Sequence, residues 1–180
     1  TGRIDGSSKF GANNKYGFFP AISGAWRVIE EDFMKPVTFI TDLKVRASYG
    51  VTGNAGAIGS YQSLATVSGQ GYNYNFNNNV QTGINPTAIA NPDLKWEQAT
   101  QLDIGVDLAL LNNRLNVVAD YYHKRTDNLL FTKALPWSSG YTTITGNYGS
   151  IENKGFELGI SGKILTGIVK WDASGNITFN

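Results

Sequence analysis

No cysteine occurs in the 180 residues. Disulfides, thiolate metal sites and cysteine nucleophiles are excluded together. Histidine occurs once, at His123. With no HExxH or other histidine cluster, a zinc-hydrolase centre has no ligand set. An excess of one charge is missing too: 15 basic residues stand against 14 acidic ones, a formal charge of +1, so there is no basic surface of the kind that drives nucleic-acid binding. No stretch of about 18 apolar residues exists, and none can therefore form a transmembrane helix. Charged residues are scarce, at 16% against roughly 25% in an average soluble protein. The mean hydropathy of −0.22 still admits a membrane barrel, whose polar lumen dilutes its lipid-facing residues. The chain opens at Thr1 without a signal-peptide pattern and stops at ITFN inside a strand-like pattern. It reads as an internal piece of a longer polypeptide, of single-domain size.

What the sequence does have is alternation. In 100–110, TQLDIGVDLAL, the residues Thr100, Leu102, Ile104, Val106, Leu108 and Leu110 form one face, and Gln101, Asp103, Gly105, Asp107 and Ala109 the other. The same period recurs in 18–28 (Phe18, Pro20, Ile22, Gly24, Trp26), 43–52 (Leu43, Val45, Ala47, Tyr49, Val51), 114–124 (Leu115, Val117, Ala119, Tyr121), 154–164 (Phe156, Leu158, Ile160) and 171–180 (Trp171, Ala173, Ile177, Phe179). Period two at this consistency predicts strands. Asn112-Asn113 is a two-residue turn that tolerates positive φ. It sets a register in which Leu108 meets Val117, Val106 meets Ala119, Ile104 meets Tyr121, Gly105 meets Asp120 and Asp103 meets Tyr122, with both faces coherent.

The connections alternate in length. Asn112-Asn113 and the stretch 165–168 are tight, and 30–42 is somewhat longer. Residues 53–95 and 126–150 are long and rich in turn residues. Short turns on one rim and long loops on the other describe an outer-membrane barrel. Trp26, Tyr49, Trp96, Tyr121, Trp171 and Phe179 sit near strand ends, as interfacial girdle residues do. The expected fold is all-β: six to seven antiparallel meandering strands of a transmembrane barrel wall, lipid on the apolar side and water on the polar side, forming an open curved sheet rather than a closed cylinder. Two alternatives stay open. One is a soluble or surface β-sandwich, such as a carbohydrate-binding module, with the apolar face as its core. The other is a small self-closing eight-stranded barrel.

Catalytic chemistry finds no support. Asp103 and Asp107 lie on one face about 13 Å apart at the strand rise of roughly 3.3 Å, too far for a glycosidase pair at about 5–9.5 Å. Arg46, Asp103, Asp107, Asp120 and Glu157 are expected as lumen-facing polar residues, the aspartates pairing with Lys124 or with charges such as Arg46. GNAGAIG lacks the helix and lysine of a phosphate loop, and DGSS has no nucleophile-elbow context. No catalytic residue, metal site or cofactor is expected. In the long loops, Tyr61, Tyr72, Tyr74, Phe76, Trp137 and Tyr141 are candidate contacts for ligand or partner, since aromatic faces stack on sugar rings and anchor protein surfaces. Trp137 ranks first, because Pro136 and Ser138-Ser139-Gly140 frame it as an exposed turn tip.

The segments RIDGSSKFG, FFPAISGAWRVIEEDFM, LKVRASYGVTGN, NPDLKWEQATQLDIGVDLALLNNRLNVVADYYHKRTDNLL and NYGSIENKGFELGI together resemble the barrel of SusC/RagA-type TonB-dependent outer-membrane transporters. The likeness runs over nearly the whole chain in the family's order. It implies a barrel of about twenty-two strands with an N-terminal plug, of which residues 1–180 would be part of the C-terminal half, without the plug. It also implies TonB-dependent import of large nutrients, glycans or peptides, across the outer membrane of a Gram-negative, Bacteroidota-type cell. The partners implied are membrane lipid, a SusD-like surface lipoprotein and the TonB complex, the last through an N-terminal part not in this sequence.

Within these segments local physics is legible. Asn91-Pro92-Asp93 should end the long loop as a turn, Trp96 should begin the next strand at the interface, and Gly50 and Gly53 should mark a bend or bulge.

Overall fold

The computed structural model describes residues 1–180 except 57, 70 and 72. Its strands in chain order are β1 (Gly2–Gly6), β2 (Tyr16–Arg27), β3 (Ile40–Asn54), β4 (Thr66–Ser68), β5 (Asn73–Phe76), β6 (Asn79–Thr82), β7 (Asn85–Ala88), β8 (Glu97–Leu110), β9 (Leu115–Asp127), β10 (Leu130–Ala134), β11 (Thr143–Asn147), β12 (Ser150–Thr166) and β13 (Lys170–Phe179). Seven of them form one antiparallel sheet in the order β1-β2-β3-β8-β9-β12-β13, and the other six pair two by two as β4-β7, β5-β6 and β10-β11. The sheet is open. β1 and β13 are its two edges, and no ladder joins them among the described residues.

Strands of ten to seventeen residues, as in β2, β3, β8, β9, β12 and β13, exceed the usual five or six of globular sheets. Ten or so suffice to cross a bilayer at a tilt. The β8–β9 register is the one the sequence predicts: Leu108 faces Val117, Val106 faces Ala119, Ile104 faces Tyr121, Gly105 faces Asp120 and Asp103 faces Tyr122. The turn is wider than a plain Asn-Asn pair. Leu111, Asn112 and Asn113 all take positive φ, at 54°, 56° and 62°, and the Arg114 amide bonds the carbonyls of both Leu110 and Leu111.

Following the pairing across the strands shows what alternation achieves. Trp26, Val45, Val106, Ala119, Leu158 and Ile177 form one continuous row. Gly24, Ala47, Ile104, Tyr121, Phe156 and Phe179 form the next. Every member is apolar. Leu102 to Leu110 covers about 27 Å at roughly 3.4 Å per residue, comparable to the apolar band of about 25 Å on outer-membrane barrels. This face is uncovered: Ile104, Tyr121, Phe156 and Ile160 are exposed, and Leu102, Val106, Leu108, Val117 and Leu158 are half-exposed. The other sheets among the described residues are two-stranded. No second layer of a sandwich is there to make this face a core.

The buried cluster lies elsewhere, at the long-loop end of the sheet. It consists of Phe10, Phe19, Ile58, Leu94 and Trp96, with Val51, Ala55 and Leu130 against it. Trp96 therefore does not sit in an exposed girdle. Its ring lies 4.6 Å from Phe10 and edge-on to Phe19 at 5.4 Å, and its Nε1 donates to the Lys15 carbonyl. Trp26, Tyr49, Tyr121, Trp171 and Phe179 are exposed at the surface. The glycines of YGVTGN also have another role than a bend. Gly50 and Gly53 lie in an unbroken ladder opposite Gln101 and Gln98, and the irregularity in β3 is at Ile40/Asp42. A Cβ on Gly53 would approach the Phe19 ring to 2.8 Å and less. The missing side chain is clearance for that ring.

Gly53→Ala is expected to displace Phe19 from the cluster and cost about 1–3 kcal/mol, the usual range for overpacking. Gly24→Ala, where an added Cβ meets nothing within 4 Å, should leave stability nearly unchanged. Urea unfolding of the full-length protein in lipid, comparing the two midpoints, checks this.

Candidate functional site

Two groups of residues converge on the polar face and on the long-loop rim. On the polar face, β3, β8 and β9 bring Arg46, Gly105 and Asp120 into one row, with Lys44 and Asp107 in the next. The Arg46 guanidinium reaches across β8. Its Nε lies 3.2 Å from Asp107 Oδ1 and its Nη2 lies 2.7 Å from Asp120 Oδ1. Lys44 Nζ adds a contact of 3.3 Å to Asp107. Gly105 makes the crossing possible. A Cβ there would sit 2.7 Å from Arg46 Cζ, 2.9 Å from its Nη2, and closer still to Asp120 Oδ1. All four charged side chains are partly exposed, so the pairs add little stability each. Their effect is orientational: two cations and two carboxylates are held in a charge-balanced patch.

Asp103 differs from the expected ion pair. It accepts hydrogen bonds from Ser48 Oγ at 3.3 Å and Gln101 Nε2 at 3.0 Å, and Lys124 does not reach it. With Ser23, Ser48, Thr52 and Gln101 it lines a recess of about 490 Å³ on this face. Glu157 is exposed, opposite Asp120 and Thr178, and joins no ion pair among the described residues. Among the described residues no three His, Asp or Glu side chains come together as metal ligands would. His123 lies at the loop-side end of the apolar rows, with Nε2 3.1 Å from Glu152 Oε1.

At the rim, the NPDLKW segment is a junction. Asn91 Oδ1 accepts from the Asp93 amide and the Leu94 amide bonds the Asn91 carbonyl, the turn that Pro92 favours. Three other loop segments are fastened to it. Gly11 N–H bonds the Leu94 carbonyl, with the backbone so close that no side chain fits at Gly11. The Asn91 amide bonds the Ser63 carbonyl, and Asn91 Nδ2 donates to Thr145 O at 2.8 Å. Asn147 completes the set: its Oδ1 accepts from Lys95 N at 2.9 Å, and its Nδ2 donates to the carbonyls of Lys95 and Asn128, each at 2.8 Å. The sequence points to the turn but not to the junction, because the partners lie up to 83 positions away.

The long loops are built of hairpins rather than irregular coil. Tyr74 and Phe76 stand exposed on β5, whose turn takes positive φ at Asn77 and Asn78. Trp137 is 90% exposed at the start of the 3-10 turn Trp137–Ser139, which Gly140 closes at φ 75°. Ser139 Oγ donates to the Pro136 carbonyl and accepts from the Tyr141 amide, fixing the tip. Tyr61 is exposed and Tyr141 half-buried. Tyr72 lies outside the described residues. Tyr74 and Phe76 thus share one hairpin, while Trp137 and Tyr141 belong to another loop tip.

Comparison with known proteins places this geometry. The family described as TonB dependent receptor-like, beta-barrel matches residues 1–180. TonB-dependent receptor P39 of Formosa agariphila is 44% identical over 179 residues, 99% of this chain and 17% of that protein. TonB-dependent receptor SusC of Bacteroides thetaiotaomicron is 38% identical over 184 residues, 100% of this chain and 18% of that protein. Among solved structures, a chain of the RagAB peptide importer in its closed-closed state superimposes with a TM-score of 0.86 at 31% identity, over 99% of this chain and 19% of that one. The chain thus spans less than a fifth of the length of each of these three relatives.

Asn147→Ala removes three hydrogen bonds at the junction and is expected to cost about 1–3 kcal/mol, the range for leaving such groups unpaired. It should also speed protease cleavage within 128–149. Trp137→Ala, at a free tip, should leave cleavage of that loop at the parent rate. Limited proteolysis of the full-length protein reads both.

Proposed function

The chain belongs to the TonB-dependent receptor β-barrel family, and on that premise we propose that it forms part of the wall of an outer-membrane importer of the SusC/RagA type, driven through TonB. The observation that carries this is the pair of unlike faces on a single-layer sheet. One is apolar and uncovered, and the other holds the Arg46–Asp107–Asp120 patch and the hydroxyl-lined recess around Asp103. A one-layer wall with those faces suits lipid on one side and a water-filled lumen on the other. The cargo is a large nutrient, a glycan or a peptide. The RagAB relative is a peptide importer, and a polar, charge-balanced wall suits passage of either class. A SusD-like surface lipoprotein is the proposed partner on the long-loop side, and the setting is the outer membrane of a Bacteroidota-type cell. The plug and the contact to TonB are assigned to parts of the full-length protein outside residues 1–180.

The exposed rings of Trp137 and Tyr74 are proposed to face the outer vestibule and touch cargo or lipoprotein. In the full-length transporter, Trp137→Ala and Tyr74→Ala should weaken uptake or lipoprotein binding with normal surface levels. Unchanged uptake and binding in both would leave these rings as surface packing. For the wall itself, Val106→Arg should cost about 2–4 kcal/mol near the bilayer centre, measured by reversible unfolding in liposomes. A cost near zero would contradict lipid contact at that face.

A further inference from the structure

Exposed apolar side chains recur on the rim opposite the long loops. The connection between β2 and β3 carries Phe33 and Phe39, the β8–β9 turn carries Leu111, and the β12–β13 turn carries Ile168 and Val169. All are more than half exposed, and Ile168 is fully so. Polar or glycine residues would suit such turns better. Leu111 is the clearest case, since it holds a φ of 54° that a side chain with a Cβ adopts only under strain. Its amide bonds the Phe39 carbonyl, which ties this tip to the β2–β3 connection and leaves the leucine side chain standing out from the rim.

The spacing and the charges point to what these tips meet. Successive hairpins stand about 10 Å apart at a strand spacing of roughly 4.8 Å, so the tips follow the rim instead of forming one patch. A planar surface meets them all. They also continue the apolar face, since Leu110, Ile164, Leu165 and Trp171 lie next to them in sequence. The β2–β3 connection holds Glu30, Glu31 and Asp32, with Arg27 against Glu30, Lys35 against Asp32 and Trp26 Nε1 donating to Glu31, so it brings no excess of cations. Around the other two turns stand Arg114, Lys163 and Lys170, against one carboxylate, Asp172, opposite Lys163. Arg114 also donates to the Lys163 and Ile164 carbonyls at the β12 bulge, holding the last two hairpins together at this level. At these two turns apolar tips flanked by cations match a phospholipid surface, the tips among the upper acyl carbons and the cations at the phosphates, and Phe33 and Phe39 extend the apolar tips along the same rim.

We propose that the short-turn rim, through Phe33, Phe39, Leu111, Ile168 and Val169, is embedded in the headgroup zone of the phospholipid leaflet on that side of the membrane. The proposal rests on the barrel-wall reading above. It adds that the wall does not end at the edge of the bilayer there but is anchored by its turns.

The test uses the full-length transporter, freed of any native cysteine, reconstituted in phosphatidylethanolamine/phosphatidylglycerol liposomes. Single variants Ile168→Cys, Leu111→Cys, Val106→Cys and Trp137→Cys are labelled with an environment-sensitive dye and quenched by lipids bearing a nitroxide at the headgroup or deep in the chain. The Ile168 and Leu111 labels should be blue-shifted and quenched by the headgroup nitroxide at least about twofold more than the Trp137 label. The Val106 label should respond to the deep one. If the Ile168 and Leu111 labels match Trp137 while Val106 is quenched, the anchoring is wrong and the wall reading stands. If they are blue-shifted but no lipid quenches them, a protein covers the rim and the proposal fails. If Val106 too escapes both quenchers, the wall reading falls and the anchoring with it.

Discussion

The backbone ladder of the seven-stranded sheet is the constraint from which the rest follows. A bilayer core offers no partner to a peptide N–H or carbonyl, so a wall that crosses it must pair every backbone group within itself. Once the backbone is consumed by neighbouring strands, the side chains can point only to one face or the other. Each face then takes the character of its own solvent. The rows through Val45, Val106, Ala119 and Leu158 are apolar from strand to strand. The adjacent row through Arg46, Gly105, Asp120 and Glu157 is not. Across these rows a single layer replaces the two-layer core of a globular domain, and the packed cluster lies at the long-loop end.

Where layers are absent, glycine takes over part of what packing does elsewhere. Gly105 opens the passage through which Arg46 reaches Asp120, and Gly53 opens space for the Phe19 ring. Gly11 lets two backbones touch. Each is a site where atoms of a different strand or loop, side chain at Gly105 and Gly53 and backbone at Gly11, occupy the volume a Cβ would fill. The loops use a second device. The NPDLKW junction binds three segments by hydrogen bonds of Asn91 and Asn147 and by a small cluster around Trp96. The base of each long loop is held while tips such as Trp137 and Tyr74 remain exposed.

Much of this was legible residue by residue. Strand positions followed from period two, and the β8–β9 pairing followed from the Asn112-Asn113 turn, because one turn fixes the whole register of a hairpin. The exposed tip at Trp137 followed from its flanking Pro136 and Gly140. The burial of Trp96 and the purpose of Gly53 were not legible. Both depend on residues brought together from far apart in sequence, Phe10 and Lys15 against Trp96, Phe19 against Gly53. A local pattern records the face a residue occupies, not which distant ring lies over it. The Arg46–Asp120 crossing was half legible: the register put Gly105 beside Asp120, but β3 had first to be paired to β8 to bring Arg46 into that row.

The central claim is that even-numbered residues of β8 face lipid and odd-numbered ones face water. Cysteine scanning of positions 102–109, omitting Gly105 where Arg46 and Asp120 leave no room for a Cβ, in the full-length transporter, in intact outer membranes treated with a small water-soluble maleimide, tests it most directly. The account predicts a period of two, with positions 103, 107 and 109 modified and positions 102, 104, 106 and 108 protected. Reactivity in the opposite phase, or equal at all seven positions, would contradict it.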